Sequence, residues 1–128
     1  MEAAPPGVVI AGRVSDAVLS GLYRKARCAA YVPLFEGFGL PVLEAMASGA
    51  PVLTTHRTSL PEVGGDAVAY TEPDADSIRA ALRSLLDDPG RRQTLGAAGH
   101  ARALEFTWAA SAEAHLASYE RAAAQGRE

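Results

Sequence analysis

Residues 35 to 52 read FEGFGLPVLEAMASGAPV, and Glu36 and Glu44 are the only charged residues in that run. The seven residues between them include Gly37, Gly39 and Pro41. Glycines at this spacing let backbone approach a ligand closely and adopt positive φ. A helix opening near Pro41 turns unpaired N–H groups and a partial positive charge back onto the loop, an arrangement suited to phosphate. A carboxylate accepts hydrogen bonds and donates none, so it suits hydroxyls and repels phosphate. The two acids and the glycine loop are therefore expected to meet different parts of one ligand, a diphosphate centre with hydroxyl-rich ends. Nucleotide sugars have that shape.

Each acid also has a plainer reading. Glu36 can be a solvated loop acid. Glu44 can simply favour the dipole of a helix first turn; a capping box is excluded because position 41 is proline. Its neighbours Val42, Leu43, Ala45 and Met46 make Glu44 read as an acid inside core, where an unpaired charge is costly.

The loop needs elements to hold it. Val8 to Gly12 reads as a short buried strand, and Ser15 or Asp16 caps a helix running to about Arg27, with Val18, Leu19, Leu22 and Ala26 as its apolar stripe. Ala29 to Leu34 is a second strand, Leu40 to Ser48 a short helix with Pro41 at its start and Gly49 at its exit, Pro51 to Thr54 a third strand and Ala67 to Tyr70 a fourth. Asp74 opens a helix bearing Ile78, Ala81, Leu82, Leu85 and Leu86, which Asp87-Asp88-Pro89-Gly90 breaks. A further helix is expected from about Arg91 to Glu105, and a last one capped by Thr107 and ending near Arg121. Strands alternating with helices predict an α/β, Rossmann-like three-layer parallel sheet of about four strands with flanking helices. Such sheets bind ligands at the carboxyl ends of their strands, where Glu36, Gly37 and Gly39 fall. Residues 1–7 are expected as a disordered N-terminus, 8–121 as one partial domain and 122–128 as a frayed tail.

The 128 residues suffice for one modest core. Apolar residues are 48% and charged residues 21%, as in ordinary globular proteins, and the net charge of −3 gives no footprint for nucleic acid or an anionic membrane. No apolar run reaches the roughly 20 residues of a membrane helix, and MEAAPPG is not a signal peptide, so a cytoplasmic location is expected. Cys28 has no cysteine to pair with and reads as an inert buried thiol. His56, His100 and His115 are dispersed and suggest no metal centre.

The run from Glu36 to Glu44, E-GFGLPVL-E, resembles the E-x7-E signature of GT-B glycosyltransferases, particularly family 4. VVIAGRVSD, LYRKARCAAYVP, EAMASGAPVLTT, TSLPEVGGDAVAY and EFTW resemble successive family segments in the expected order, so the likeness covers residues 8 to about 121. It implies the C-terminal, donor-binding portion of such an enzyme: a nucleotide-diphosphate sugar donor, transfer to a hydroxyl acceptor with retention, and no metal or other cofactor. Carried over by position, Glu36 is the catalytic-site acid that contacts hydroxyls of the transferred sugar. The amides of Gly37, Phe38, Gly39 and Leu40 line sugar and diphosphate, and Glu44 receives the ribose hydroxyls. Arg13 and Val14 flank the nucleobase, though an ordinary strand-end loop explains them equally well. Thr54 and Thr55 end a strand beside the site, Glu62 braces a short helix, and Trp108 seats the C-terminal helix.

The same resemblance implies what is absent. The family's acceptor-binding N-terminal domain, and the Arg and Lys that neutralise the diphosphate, have no counterpart in the matching segments; Lys25 lies on the helix after the first strand and is not that lysine. The expectation is a donor-side half-site in a truncated, excised or split chain, with any peripheral membrane contact made through the missing domain. Two strands that should lie between Val8–Gly12 and Ala29–Leu34 are also lacking, so the sheet is expected either to re-pair or to leave an open apolar edge for self-association or a partner chain. A non-catalytic interaction or assembly module that keeps this fold, and more remotely a simple phosphate-binding protein, remain as alternatives.

Overall fold

A computed structural model describes residues 4–126. In chain order the elements are α1 (Asp16–Lys25), β1 (Ala29–Ala30), α2 (Leu40–Ala47), β2 (Val52–Thr55), α3 (Leu60–Gly64), a 3₁₀ turn (Gly65–Ala67), β3 (Ala69–Thr71), α4 (Ala75–Asp87), α5 (Pro89–Ala103) and α6 (Trp108–Gln125). The strands form one parallel sheet in the order β1-β2-β3. Ala29 stands opposite Val52, and Leu53 opposite Ala69. Tyr31 N–H donates to the Leu53 carbonyl at 2.9 Å, so backbone pairing runs one residue past β1.

Strand alternation sends neighbours in β2 to opposite faces. Val52 joins Val42, Ala45, Met46, Leu60, Val63 and Ala103 on one side, while Leu53 packs with Ala69 and Leu85 on the other. The central strand is buried throughout, giving helix, sheet and helix as layers. The caps are those the sequence indicates. Ser15 accepts from Val18 N–H, Asp74 from the amides of Asp76 and Ser77, and Thr107 from Ala110. Asp88 ends α4 and also caps α5 through Arg91 N–H, so the break is one residue long and α5 begins at Pro89 rather than Arg91.

Three expectations are corrected. Val8–Gly12 is not a strand: Val9 is 88% and Ile10 76% exposed, and the sheet has three strands rather than four. An isolated strand leaves its backbone groups unpaired, and among the described residues nothing lies beyond β1 for it to pair with. The outer edge of β1 is correspondingly open, and the apolar stripe of α1 is left half-covered, Val18 and Leu22 included. Next, Ala29–Leu34 stays in the ladder only at its start; the Pro33 carbonyl accepts from Thr55 Oγ1, which peels the chain into the loop carrying Glu36. Finally, Trp108 seats nothing: it is 92% exposed, and α6 has no buried residue. That helix runs beyond Arg121 to Gln125, so part of the expected tail is helical; residues 1–3 and 127–128 lie outside the described residues.

Glycines set how closely α5 crosses α2. A Cβ on Gly96 would stand 2.7 Å from the Gly49 carbonyl oxygen, and one on Gly99 3.2 Å from Met46 Cγ. Gly49 itself has φ +78°, the left-handed exit from α2. His100 Nδ1 lies 2.8 Å from the Ala47 carbonyl, and Arg102 donates to the carbonyls of Val63 and Glu62 at 2.7 Å each. Through these contacts α5 holds the ends of both short helices that border the loop.

Candidate functional site

Glu36 sits in the turn between β1 and α2, half-buried. Its Oε1 accepts from the amides of Gly37 (2.9 Å) and Phe38 (3.3 Å), and its Oε2 from the Tyr31 phenol at 2.5 Å. The phenol bond chiefly, with amides of the loop adding to it, holds the carboxyl below its ordinary range; the same bond raises Tyr31. Ser59 Oγ donates to the Glu36 carbonyl at 3.3 Å, and beside it Thr58 takes φ +50°, a left-handed geometry uncommon for a residue with a Cβ. Two strand ends thus converge on one acid.

Gly39 is the N-cap of α2, with φ +104°. That conformation asks for glycine, and an added Cβ, 2.8 Å from Cδ2 of the buried Leu60, would also have to displace that methyl. Gly37 is different: nothing lies within 4 Å of where its Cβ would be, which leaves open room above the loop. Phe38 packs edge-on against Phe106 with ring centroids 6.3 Å apart, and Leu40 is exposed at the helix start.

Glu44 is not in the core. The 3.6-residue period turns Val42, Ala45 and Met46 toward the sheet and Glu44 to solvent, so the argument from burial fails for it. An apolar neighbour in sequence is not a neighbour in space. Its side chain faces α1 across a shallow groove of about 320 Å³, lined also by Asp16, Leu19, Ser20 and Tyr23. Burial, and then the charge of Glu44, raises the Tyr23 phenol. Arg13 and Val14 precede α1 and do not line this groove. From Gly39 to Glu44 the helix rises about 7–8 Å. Glu36 thus precedes α2, and Glu44 lies on its second turn beside the groove that Ala47 and Ser48 also line.

Thr54 and Thr55 are fully buried at the end of β2; Thr55 is bonded, whereas Thr54 Oγ1 has no partner. Glu62 is exposed on α3, where Arg102 rather than the glutamate braces the helix end. His56 packs on Tyr70 and His115 bonds within α6. Cys28 is half-buried, and desolvation is the main cause of its raised pKa. Among the described residues no three His, Cys, Asp or Glu gather as a metal centre. Tyr31 and Ser59 escape a reading of the sequence. The only signal for Tyr31 is a phenol five residues before the acid, and nothing marks Ser59.

The chain is 46% identical over 98 residues to O-antigen chain mannosyltransferase B of Escherichia coli, a match covering 76% of this chain and 26% of that protein. It is 41% identical over 117 residues to MMP alpha-(1->4)-mannosyltransferase of Mycolicibacterium hassiacum, covering 88% and 28%. Among solved structures, sucrose-phosphate synthase from Thermosynechococcus elongatus superposes with a TM-score of 0.76 at 29% identity, over 89% of this chain and 30% of that one. The chain thus spans under a third of the length of each protein it matches. The three-stranded α/β fold is shared with the matching portion of that synthase. With residues 4–102 matching the model of the glycosyl transferases group 1, the chain belongs to that family.

Proposed function

We propose that this chain is the donor-side part of a glycosyltransferase that binds a nucleotide-diphosphate sugar and serves its transfer, with retention and without a metal, to a hydroxyl acceptor. The observation that carries the reading is an open glycine loop at the start of α2, with one acid bound into the loop and a second exposed on the helix that follows it. Glu36 is the acid for sugar hydroxyls, Glu44 for the ribose, and the amides of Gly37, Phe38, Gly39 and Leu40 face the diphosphate. Exposure of Glu44 favours this role over a packing role, since an exposed carboxylate is free to accept a ligand's hydroxyls. Arg13 and Val14 would meet the base only once Val8–Gly12 is drawn into a sheet. The basic groups that stabilise charge on the leaving diphosphate belong, in this reading, to the opening segment of the donor-binding domain, which the matching segments do not include.

Calorimetry with nucleoside diphosphates and nucleotide sugars tests it. Wild type should bind at least one nucleotide, and Glu44→Ala should weaken that binding about 10- to 100-fold, the loss expected for hydrogen bonds to a charged group. No heat at millimolar ligand would defeat the donor-site reading. It would favour an interaction module, for which the open edge of β1 and the exposed faces of α1 and α6 speak.

A further inference from the structure

We propose that Tyr31 is a positioning residue for Glu36: its phenol holds the carboxylate turned into the loop, where it occupies the amides of Gly37 and Phe38 until a donor displaces it. This rests on the donor-site reading above.

The geometry is specific. An ionised carboxylate offers about four acceptor sites. In Glu36 three are taken, by Gly37 N–H, Phe38 N–H and Tyr31 Oη. The amides of Gly37 and Phe38, beside the open space at Gly37, are therefore filled by the chain's own acid. A diphosphate sugar entering that space needs those amides, and its hydroxyls need the carboxylate. Both needs are met by one exchange: the amides pass to the ligand, and Glu36 takes ligand hydroxyls in their place. No covalent bond changes.

Tyr31 keeps the exchange local. Its backbone N–H is fixed to Leu53 in the sheet, and its ring packs at the margin of the core, so the phenol is held by a rigid element while Glu36 rides on a loop. With Oε2 tethered there, the carboxylate can swing off the amides without leaving the site. Ser59 fixes the Glu36 backbone from the other side, so the side chain alone moves. Among the titratable groups of the described residues, Tyr31 alone faces the carboxyl, and Tyr31 in turn is faced by Glu36 and by Tyr23 of α1. Among the described residues no basic side chain competes for the carboxylate.

The test is Tyr31→Phe, which keeps the ring and removes only the donor. In the free protein, carbon-detected NMR titration of the Glu36 carboxyl should show its pKa rise toward the ordinary carboxylate range, with the melting temperature little changed. A merely structural tyrosine would not move that titration, and an unmoved pKa would overturn the proposal. Calorimetry with UDP, GDP and ADP and their glucose or mannose conjugates supplies the second arm. The variant should bind the free diphosphate as well as wild type or better, because the amides are released more easily. Its preference for the sugar conjugate over the free diphosphate should fall about tenfold, as for one lost charge-assisted bond, and Glu36→Gln should show the same fall. An unchanged preference in Tyr31→Phe would refute the tether's part in donor binding. Were wild type to bind no nucleotide at all, the donor-site reading would fall, and the carboxyl titration would still decide whether Tyr31 holds Glu36.

Discussion

Gly96→Ala probes the contact on which the position of α2 depends. Inside a helix, alanine is ordinarily about 1 kcal/mol better than glycine. Gly96 lies in the middle of α5, so propensity alone says the substitution should stabilise. The crossing says otherwise. The new methyl would sit 2.7 Å from the Gly49 carbonyl oxygen, 3.7 Å from its carbon and 3.9 Å from Pro51 N. These are backbone atoms at the exit of α2 and cannot rotate away. To reach an ordinary 3.4 Å contact, α5 must retreat by about 0.7 Å. That would also loosen Gly99 over Met46, a residue with no exposed surface. Overpacking of this kind costs about 1–3 kcal/mol, and a backbone obstacle puts it at the upper end. After the propensity gain, a net loss of about 1–2 kcal/mol remains. For a chain of this size that is a fall of roughly 4–8 °C in Tm. Thermal unfolding followed by circular dichroism measures it, with Gly90→Ala as the control. Gly90 is in the same helix, but the nearest atom to its Cβ position is Asp88 Oδ1 at 3.5 Å, so that variant should melt no lower than wild type. If Gly96→Ala matched or exceeded wild type, the helices would not cross this closely, and α5 would not be what holds the exit of α2.

Two further predictions concern polar groups outside the loop. Thr54→Val replaces a fully buried hydroxyl that has no partner with a methyl of similar size, and should stabilise by about 1 kcal/mol in denaturant titration; destabilisation would mean that the hydroxyl is bonded in solution. Asp74 caps α4, and hydrogen bonds from Ser77 above all hold its carboxyl below the ordinary range. A depressed folded pKa means the charged cap stabilises fully above the unfolded value near 4, and that this is lost as pH falls through the lower folded value. Asn caps as well as Asp but does not titrate. The Tm advantage of wild type over Asp74→Asn should therefore be greatest near neutrality and shrink as pH drops below about 4. An advantage that grew toward acid pH would show the sign to be wrong.

The local elements were legible in the residues because their causes are short-range. Pro41 and Gly49 delimit α2, Asp74 and the stripe ending at Leu85 and Leu86 define α4, and Thr107 starts α6; each signal acts within a turn or two of chain. The order of those elements was enough to indicate a parallel α/β sheet, and the spacing of Glu36, Gly37, Gly39 and Glu44 enough to suggest a ligand loop at a strand end. Even the gap in the sheet could be anticipated, although not which way it would resolve.

What required the tertiary structure was everything that depends on a distant partner. Val8–Gly12 has the composition of a buried strand, yet a strand exists only beside another, and here it lies exposed. Glu44 looked like an acid in core because its sequence neighbours are apolar, but the helical turn sends those neighbours inward and the acid out. Among the described residues, Trp108 finds nothing to pack on and Val9 nothing to pair with, and both are left exposed. The grip of Tyr31 on Glu36 joins a strand to a loop, and the reach of Arg102 to the carbonyls of α3 spans some forty residues of chain. The residues thus decided which short segments form and what chemistry they carry. Only long-range packing, which sets which face of each element meets another, decided which of those groups are free to act.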